Sequence, residues 1–242
     1  MNEHTITRYE DELIELKEKA LEMGGMVEKA VNRSMNSLFK HDTSRAHKVI
    51  EREKSINDME LEIDEMTRNI LALRQPAASD LRFVITSIKV VTDMERMGDL
   101  AEGIAEMMLE TREHPLIQVS SLESLSELVL THLKLAFDAF ANNNIDAAMQ
   151  CIAGDKKVNQ MYKSMMREYL TYMAEDPHQI TSELIASNIA KNLERIGDHS
   201  VNIAQMVVYM VKGVDVRHTG RKATIRMIND ELNKEDHPVT AD

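Results

Sequence analysis

The chain has no tryptophan, one cysteine, four prolines and eight glycines in 242 residues, and only 4% of it is aromatic. Scarce proline and glycine remove the usual interruptions of a helix, while Leu, Ala, Glu, Lys and 18 Met supply good helix formers. Few segments alternate β-branched and polar residues, so a sheet core is not expected. A single Cys151 cannot form an intramolecular disulfide and fits a reducing compartment, where it reads as a small buried apolar side chain. Basic excess is also lacking. The net charge is -12, which excludes general affinity for nucleic acid, because phosphate contacts need a basic stripe. No apolar run is long enough for a membrane span: the longest, Ile203 to Val211, is broken by Gln205. Met1 to Tyr9 is polar and carries no secretory signal, so a cytosolic protein that meets membranes only through partners is expected.

The apolar periodicity predicts six long helices, over residues 8–40, 43–74, 79–112, 121–142, 145–174 and 177–212. Asp42, Ser79, Ser121 and Asp176 stand where N-caps belong, Pro177 suits a first helical turn, and Gly213 suits a C-terminal stop. Gly24-Gly25 inside the first helix implies close packing or a bend. The halves are related. Glu95-Arg96-Met97-Gly98-Asp99 returns as Glu194-Arg195-Ile196-Gly197-Asp198, and Ile50, Glu53, Lys54 and Asn57 return as Ile152, Asp155, Lys156 and Asn159. Matches in the same order imply duplication of a three-helix unit. The expected architecture is all-α: two tandem three-helix bundles over residues 1–114 and 115–213, then a polar tail over 214–242 that begins with a short helix. Val90, Met94, Met97, Ala101, Ile104 and Met108 form one core stripe; Ile189, Leu193, Ile196, Ser200, Ile203 and Val207 form its counterpart.

Glu95 and Asp99 lie one turn apart, opposite that stripe, and Glu102 and Glu106 extend the face. In the second half Glu194 and Asp198 recur, but Val201 and Gln205 replace the other two. Such a face is solvated, paired with Arg or Lys, or bound to a hard cation. Lone His199 reads as a surface side chain. A ferritin-like di-metal enzyme needs two inward Glu-x-x-His motifs, whereas Glu175 to His178 is the single instance and Pro177 interrupts it. No Gly-x-Ser-x-Gly turn supports a serine hydrolase. Pattern alone therefore gives a helical scaffold and no enzyme.

Several motifs then occur in a specific order: Met23-Gly24-Gly25-Met26-Val27-Glu28; Arg74-Gln75-Pro76-Ala77-Ala78-Ser79-Asp80-Leu81-Arg82; Met94 to Asp99; and Asn192 to Asp198. Across residues 8–218 the chain resembles the PhoU family of phosphate-transport regulators. The resemblance implies a homodimer and negative control of the phosphate-starvation regulon, coupling a phosphate ABC transporter ATPase to a sensor histidine kinase. It also implies metal-holding acidic pairs, which map onto Glu95 and Asp99, Glu194 and Asp198, Glu53 and Asn57, and Asp155 and Asn159. Asn57 and Asn159 stand where the family pattern has Asp. Glu60 and Asp64 add an acidic pair in the first half, where the second has Tyr162 and Met166. A weakly held divalent ion (Mg, Mn or Fe), favouring the first bundle, is the expectation.

Overall fold

A computed structural model describes residues 3–117, 119–217, 219, 224, 226 and 227. It contains helices α1 (Glu3–Phe39), α2 (Thr43–Arg74), α3 (Ala78–Glu110), α4 (Ser120–Asn142), α5 (Ile145–Glu175) and α6 (Ile180–Lys212), with a 3-10 turn at Pro177–Gln179. No strand occurs among the described residues. α1, α2 and α3 pack on one another, as do α4, α5 and α6. The chain is thus two tandem three-helix bundles, with Pro115 in the 111–119 connection. Of the tail expected from residue 214, residues 218, 220–223, 225 and 228–242 lie outside the described residues; Thr224, Arg226 and Met227 are helical.

Local chemistry explains most of the helix ends. Asp42 Oδ1 accepts from the Arg45 amide at 3.0 Å and opens α2. Asn144 Oδ1 does the same for Ala147 at 3.1 Å and opens α5. Asp176 Oδ1 accepts from the His178 amide at 3.0 Å across Pro177, in a 3-10 turn that precedes α6. Gly213 adopts φ 70°, and its amide donates to the Tyr209 carbonyl at 2.8 Å. Ser79 and Ser121 do not cap. Ala77, extended at φ -125°, takes the N-cap position of α3, and Ser79 turns its hydroxyl to Asp80 at 3.4 Å. α4 starts one residue before Ser121, with Val119 at its N-cap.

The Arg74 to Arg82 motif is a clamp at one end of the molecule. Arg74 donates twice to Glu12, at 2.9 and 2.7 Å, tying α2 to α1. Tyr9 donates to Asp80 at 2.9 Å, tying α1 to α3, and Arg82 donates to the Met210 carbonyl at 3.2 Å, tying α3 to α6.

Both stripes are core: Val90, Met94, Met97, Ala101, Ile104 and Met108 are buried, as are Ile189, Leu193, Ile196, Ile203 and Val207. Ser200 sits among them because its hydroxyl donates to the Ile196 carbonyl at 2.9 Å. At Gly24 a Cβ would stand 3.2 Å from Met94 Cε, so this glycine permits a close approach; Gly25 has open space and no such need. α3 also packs on α6 and joins the bundles into one continuous apolar core. They run antiparallel: Arg82 meets Met210, Asp93 meets His199, and Asn192 reaches the Leu100 carbonyl at 3.5 Å.

Candidate functional site

The glycine of each repeated Glu-Arg-x-Gly-Asp motif sets the geometry. A Cβ at Gly98 would lie 3.1 Å from Ile56 Cδ1, and one at Gly197 would lie 3.2 Å from Val158 Cγ1. α3 therefore approaches α2 closely, as α6 does α5. In the first bundle this close crossing brings Glu53, Asn57 and Glu60 of α2 beside Glu95, Asp99 and Glu102 of α3, with Asp64 next to Glu60 on α2.

The assembled face is electrostatically unfavourable. Burial lifts the Glu53 carboxyl above the usual range, and the neighbouring Asp99 carboxylate adds to it, while the Asn57 amide opposes. Glu60 is raised by burial, then by Asp64 and Asp99, against Arg96. Glu95 is raised by burial, then by Asp99 and Glu60, against Arg96 and His199. Glu102 is raised by burial and by Glu53, Glu106 and Asp99. Among the described residues, Glu53 Oε1 and Asn57 Oδ1 are buried without a hydrogen-bond partner. An acceptor removed from water with nothing to receive loses its hydration, at a cost of about 1–3 kcal/mol for such a group.

The second bundle solves the same problem internally. Glu194 does not face outward as its spacing suggests: it is 8% exposed and receives Lys191 Nζ at 2.6 Å. Lys191 also lies 5.3 Å from the centre of the Tyr162 ring. Asn159 donates to Asp155 at 2.9 Å. Asp198 is raised by burial, then by Glu194 and Asp155, against Lys191 and His199. A built-in ammonium thus stands among these acids. At the position related by the repeat, the first bundle has Thr92, whose hydroxyl is turned to the Ile88 carbonyl at 3.0 Å. Aligning the repeats through their Glu-Arg-x-Gly-Asp motifs pairs Lys191 with Thr92, a signal in the sequence for this difference.

His199 is not surface decoration. Its side chain is 14% exposed, and Nδ1 lies 2.7 Å from Asp93 Oδ1 across the α3–α6 contact. Asn202 donates to the same oxygen at 3.2 Å. Nothing in the periodicity of α6 alone reveals this, because the partner is on the other bundle.

Among the described residues, no three His, Cys, Asp or Glu side chains converge closely enough to hold a metal ion by themselves. The first-bundle face instead offers hard oxygens, including the two unsatisfied atoms of Glu53 and Asn57. That donor set fits a cation that keeps part of its water shell, the habit of Mg and similar ions. It does not fit a thiophilic ion, and Cys151 is remote in chemistry as well: burial pushes its thiol up to about 12.

A family model described as "PhoU domain" matches twice, over residues 20–108 and 122–207, which are the two bundles. The chain is 39% identical over 236 residues to the "Phosphate-specific transport system accessory protein PhoU" of Escherichia coli K12, covering 97% of this chain and 94% of that one. It superposes on the crystal structure of PhoU from Pseudomonas aeruginosa with a TM-score of 0.83 at 40% identity, covering 85% of this chain and 100% of that one. The phosphate transport system regulatory protein PhoU from Streptococcus pneumoniae gives a TM-score of 0.80 at 29% identity, covering 86% and 99%. With the duplicated motifs, the two bundles and these relatives in agreement over nearly its whole length, the chain belongs to the PhoU family.

Proposed function

We propose that this chain is a cytosolic negative regulator of phosphate uptake and of the phosphate-starvation regulon, a non-catalytic adaptor between a phosphate ABC transporter ATPase and a sensor histidine kinase. The observation that carries this reading is near end-to-end similarity to relatives named for an accessory role in phosphate-specific transport. No described helix is long and apolar enough to cross a membrane. Exposed apolar side chains at Leu61, Leu73, Leu170 and Leu184 mark outer helix faces suited to docking, including self-association as a homodimer. The test is co-purification of the tagged protein with the transporter ATPase and the cytosolic part of the kinase. Recovery of neither would overturn the adaptor reading.

The acidic face of the first bundle serves this role by taking up a hard divalent ion (Mg, Mn or Fe), with Glu53, Glu60, Glu95 and Asp99 as ligands through oxygen and water. The ion neutralises a repulsive surface, and Lys191 makes the second bundle the weaker site. Titrating Mn into wild type and Glu95→Ala/Asp99→Ala should give measurable heat only for wild type. Equal heats would mean that the face is solvated surface.

A further inference from the structure

α1 and α2 leave a half-enclosed cleft of about 270 Å³ between them. Its rim carries Lys29 and Arg33 from α1 and Lys48 and Arg52 from α2, and its floor is Met26, Val49 and Ile56. The Lys19–Glu62 and Glu12–Arg74 ion pairs, both at 2.7 Å, hold α1 and α2 antiparallel, so that Lys29 and Arg33 on one helix and Lys48 and Arg52 on the other line the same cleft. On each helix the two cations are four residues apart, about 6 Å along the axis. The result is a four-cornered positive frame on a chain whose net charge is -12. Among the described residues, none of the four has an ion-pair or hydrogen-bond partner. Of the nearby acids, Glu28 lies beside Lys29 and Arg33 in an adjoining depression, and Asp42 is engaged by Arg45 and attracted more weakly by Lys48.

The duplication supplies an internal control. Buried Met23, Val27, Val31 and Leu38 of α1 recur as buried Leu125, Val129, Leu133 and Phe140 of α4. In that register Thr131 and Leu135 stand for Lys29 and Arg33. By the match of Glu53 to Asp155, Gln150 and Gly154 stand for Lys48 and Arg52. The small Ala30 beside the first cleft is replaced by His132, which is 3% exposed and lies against Gly154, where a Cβ would be only 2.2 Å from Nε2. The second bundle fills this space with an uncharged plug. Helix packing therefore does not require the opening, and common descent does not account for its four cations.

We infer that the α1–α2 cleft binds a nucleoside di- or triphosphate, with its phosphates on Lys29, Arg33, Lys48 and Arg52 and its nucleoside against Met26, Val49 and Ile56. Orthophosphate carries about two charges at neutral pH and has no second phosphate to offer the second cation pair. A diphosphate or longer chain carries more charge and spans the frame, where Arg adds planar, paired donors. The apolar floor gives the uncharged end of such an ester a place that inorganic chains cannot use.

The full-length protein, in low salt with EDTA, is titrated with ADP, ATP, AMP, pyrophosphate and orthophosphate in a calorimeter. ADP and ATP should bind, with AMP, pyrophosphate and orthophosphate each weaker by about tenfold or more, the loss expected from removing one charge-assisted contact or the floor contact. Arg33→Glu/Arg52→Glu should abolish binding. Ala30→His/Arg52→Gly, which transplants the plug of the second bundle, should abolish it too while keeping the helical circular dichroism of wild type. Unchanged ADP affinity in both variants overturns the inference. So does the absence of nucleotide binding at millimolar concentration, or binding of a polyglutamate peptide where ADP fails.

Discussion

Gly154 should be intolerant of the smallest possible side chain, and only because of one neighbour. A Cβ built there lies 2.2 Å from His132 Nε2, 2.6 Å from Cε1 and 3.4 Å from Cδ2. The ring is 3% exposed, so it has no solvent to swing into. Forcing a methyl group into filled space costs about 1–3 kcal/mol. Against it stands the helix preference of Ala over Gly, about 1 kcal/mol. The net is a loss of up to about 2 kcal/mol, which should lower Tm by up to several degrees, at about 2–4 °C per kcal/mol for a chain of this size. In a His132→Ala background the obstacle is gone, and the same Gly154→Ala change should stabilise by about 0.5–1 kcal/mol. Thermal unfolding of the four proteins in the cycle reads this directly as a change of sign. If Gly154→Ala raises Tm equally in both backgrounds, the close contact does not exist and the plugged second cleft is wrong.

Lys191→Met should lower Tm more than Lys19→Met, because Lys191 leaves a buried Glu194 without its ammonium whereas Glu62 is 51% exposed. Differential scanning fluorimetry of the two variants makes the comparison. The pH dependence of the first-bundle face has a definite sign. Glu53 and Glu95 have folded pKa values above their unfolded ones, so the folded state takes up protons first and stability falls as pH rises through the folded values. Glu53→Gln/Glu95→Gln should therefore be more stable than wild type at pH 7.5, with the advantage shrinking towards pH 5; a gap independent of pH would contradict it. His132 acts oppositely. Burial lowers its pKa, so wild type should lose stability as pH drops through the histidine range, and a His132→Ala variant should lose less. Asp42→Ala should cost about 1 kcal/mol through the lost cap of α2, read as a shift in urea midpoint.

The helices were legible because their evidence is local and repeated. Met94, Met97 and Ile104 keep helical spacing wherever the helix ends, so the core stripes of α3 and α6 follow from sequence alone. Caps were legible where one residue decides them, as at Asp42 for α2 and Gly213 for the end of α6; Asp176 caps the 3-10 turn and leaves Gln179 at the N-cap of α6. They failed at Ser79, where the turn after Pro76 puts Ala77 at the N-cap, and at Ser121, where α4 begins one residue early. The acidic face of the first bundle followed from the spacing of Glu95, Asp99 and Glu102. The burial of Glu194 did not, because helical spacing places it on the acidic face and only the packed bundle encloses it beside Lys191. The pairing of Asp93 with His199 was beyond reach: those residues are brought together by the antiparallel contact of α3 with α6, and helical periodicity fixes faces without fixing which faces meet. The same holds for the α1–α2 cleft, whose charge is visible in sequence as scattered Lys and Arg and becomes a frame only in the folded register.

The most direct measurement is expression of phosphate-starvation genes in a strain lacking this chain, grown in phosphate-rich medium. A negative regulator that couples transporter to kinase predicts that these genes switch on despite ample phosphate, and that the intact chain supplied in trans silences them. Expression that stays low in the deletion strain would contradict the regulatory account at its centre.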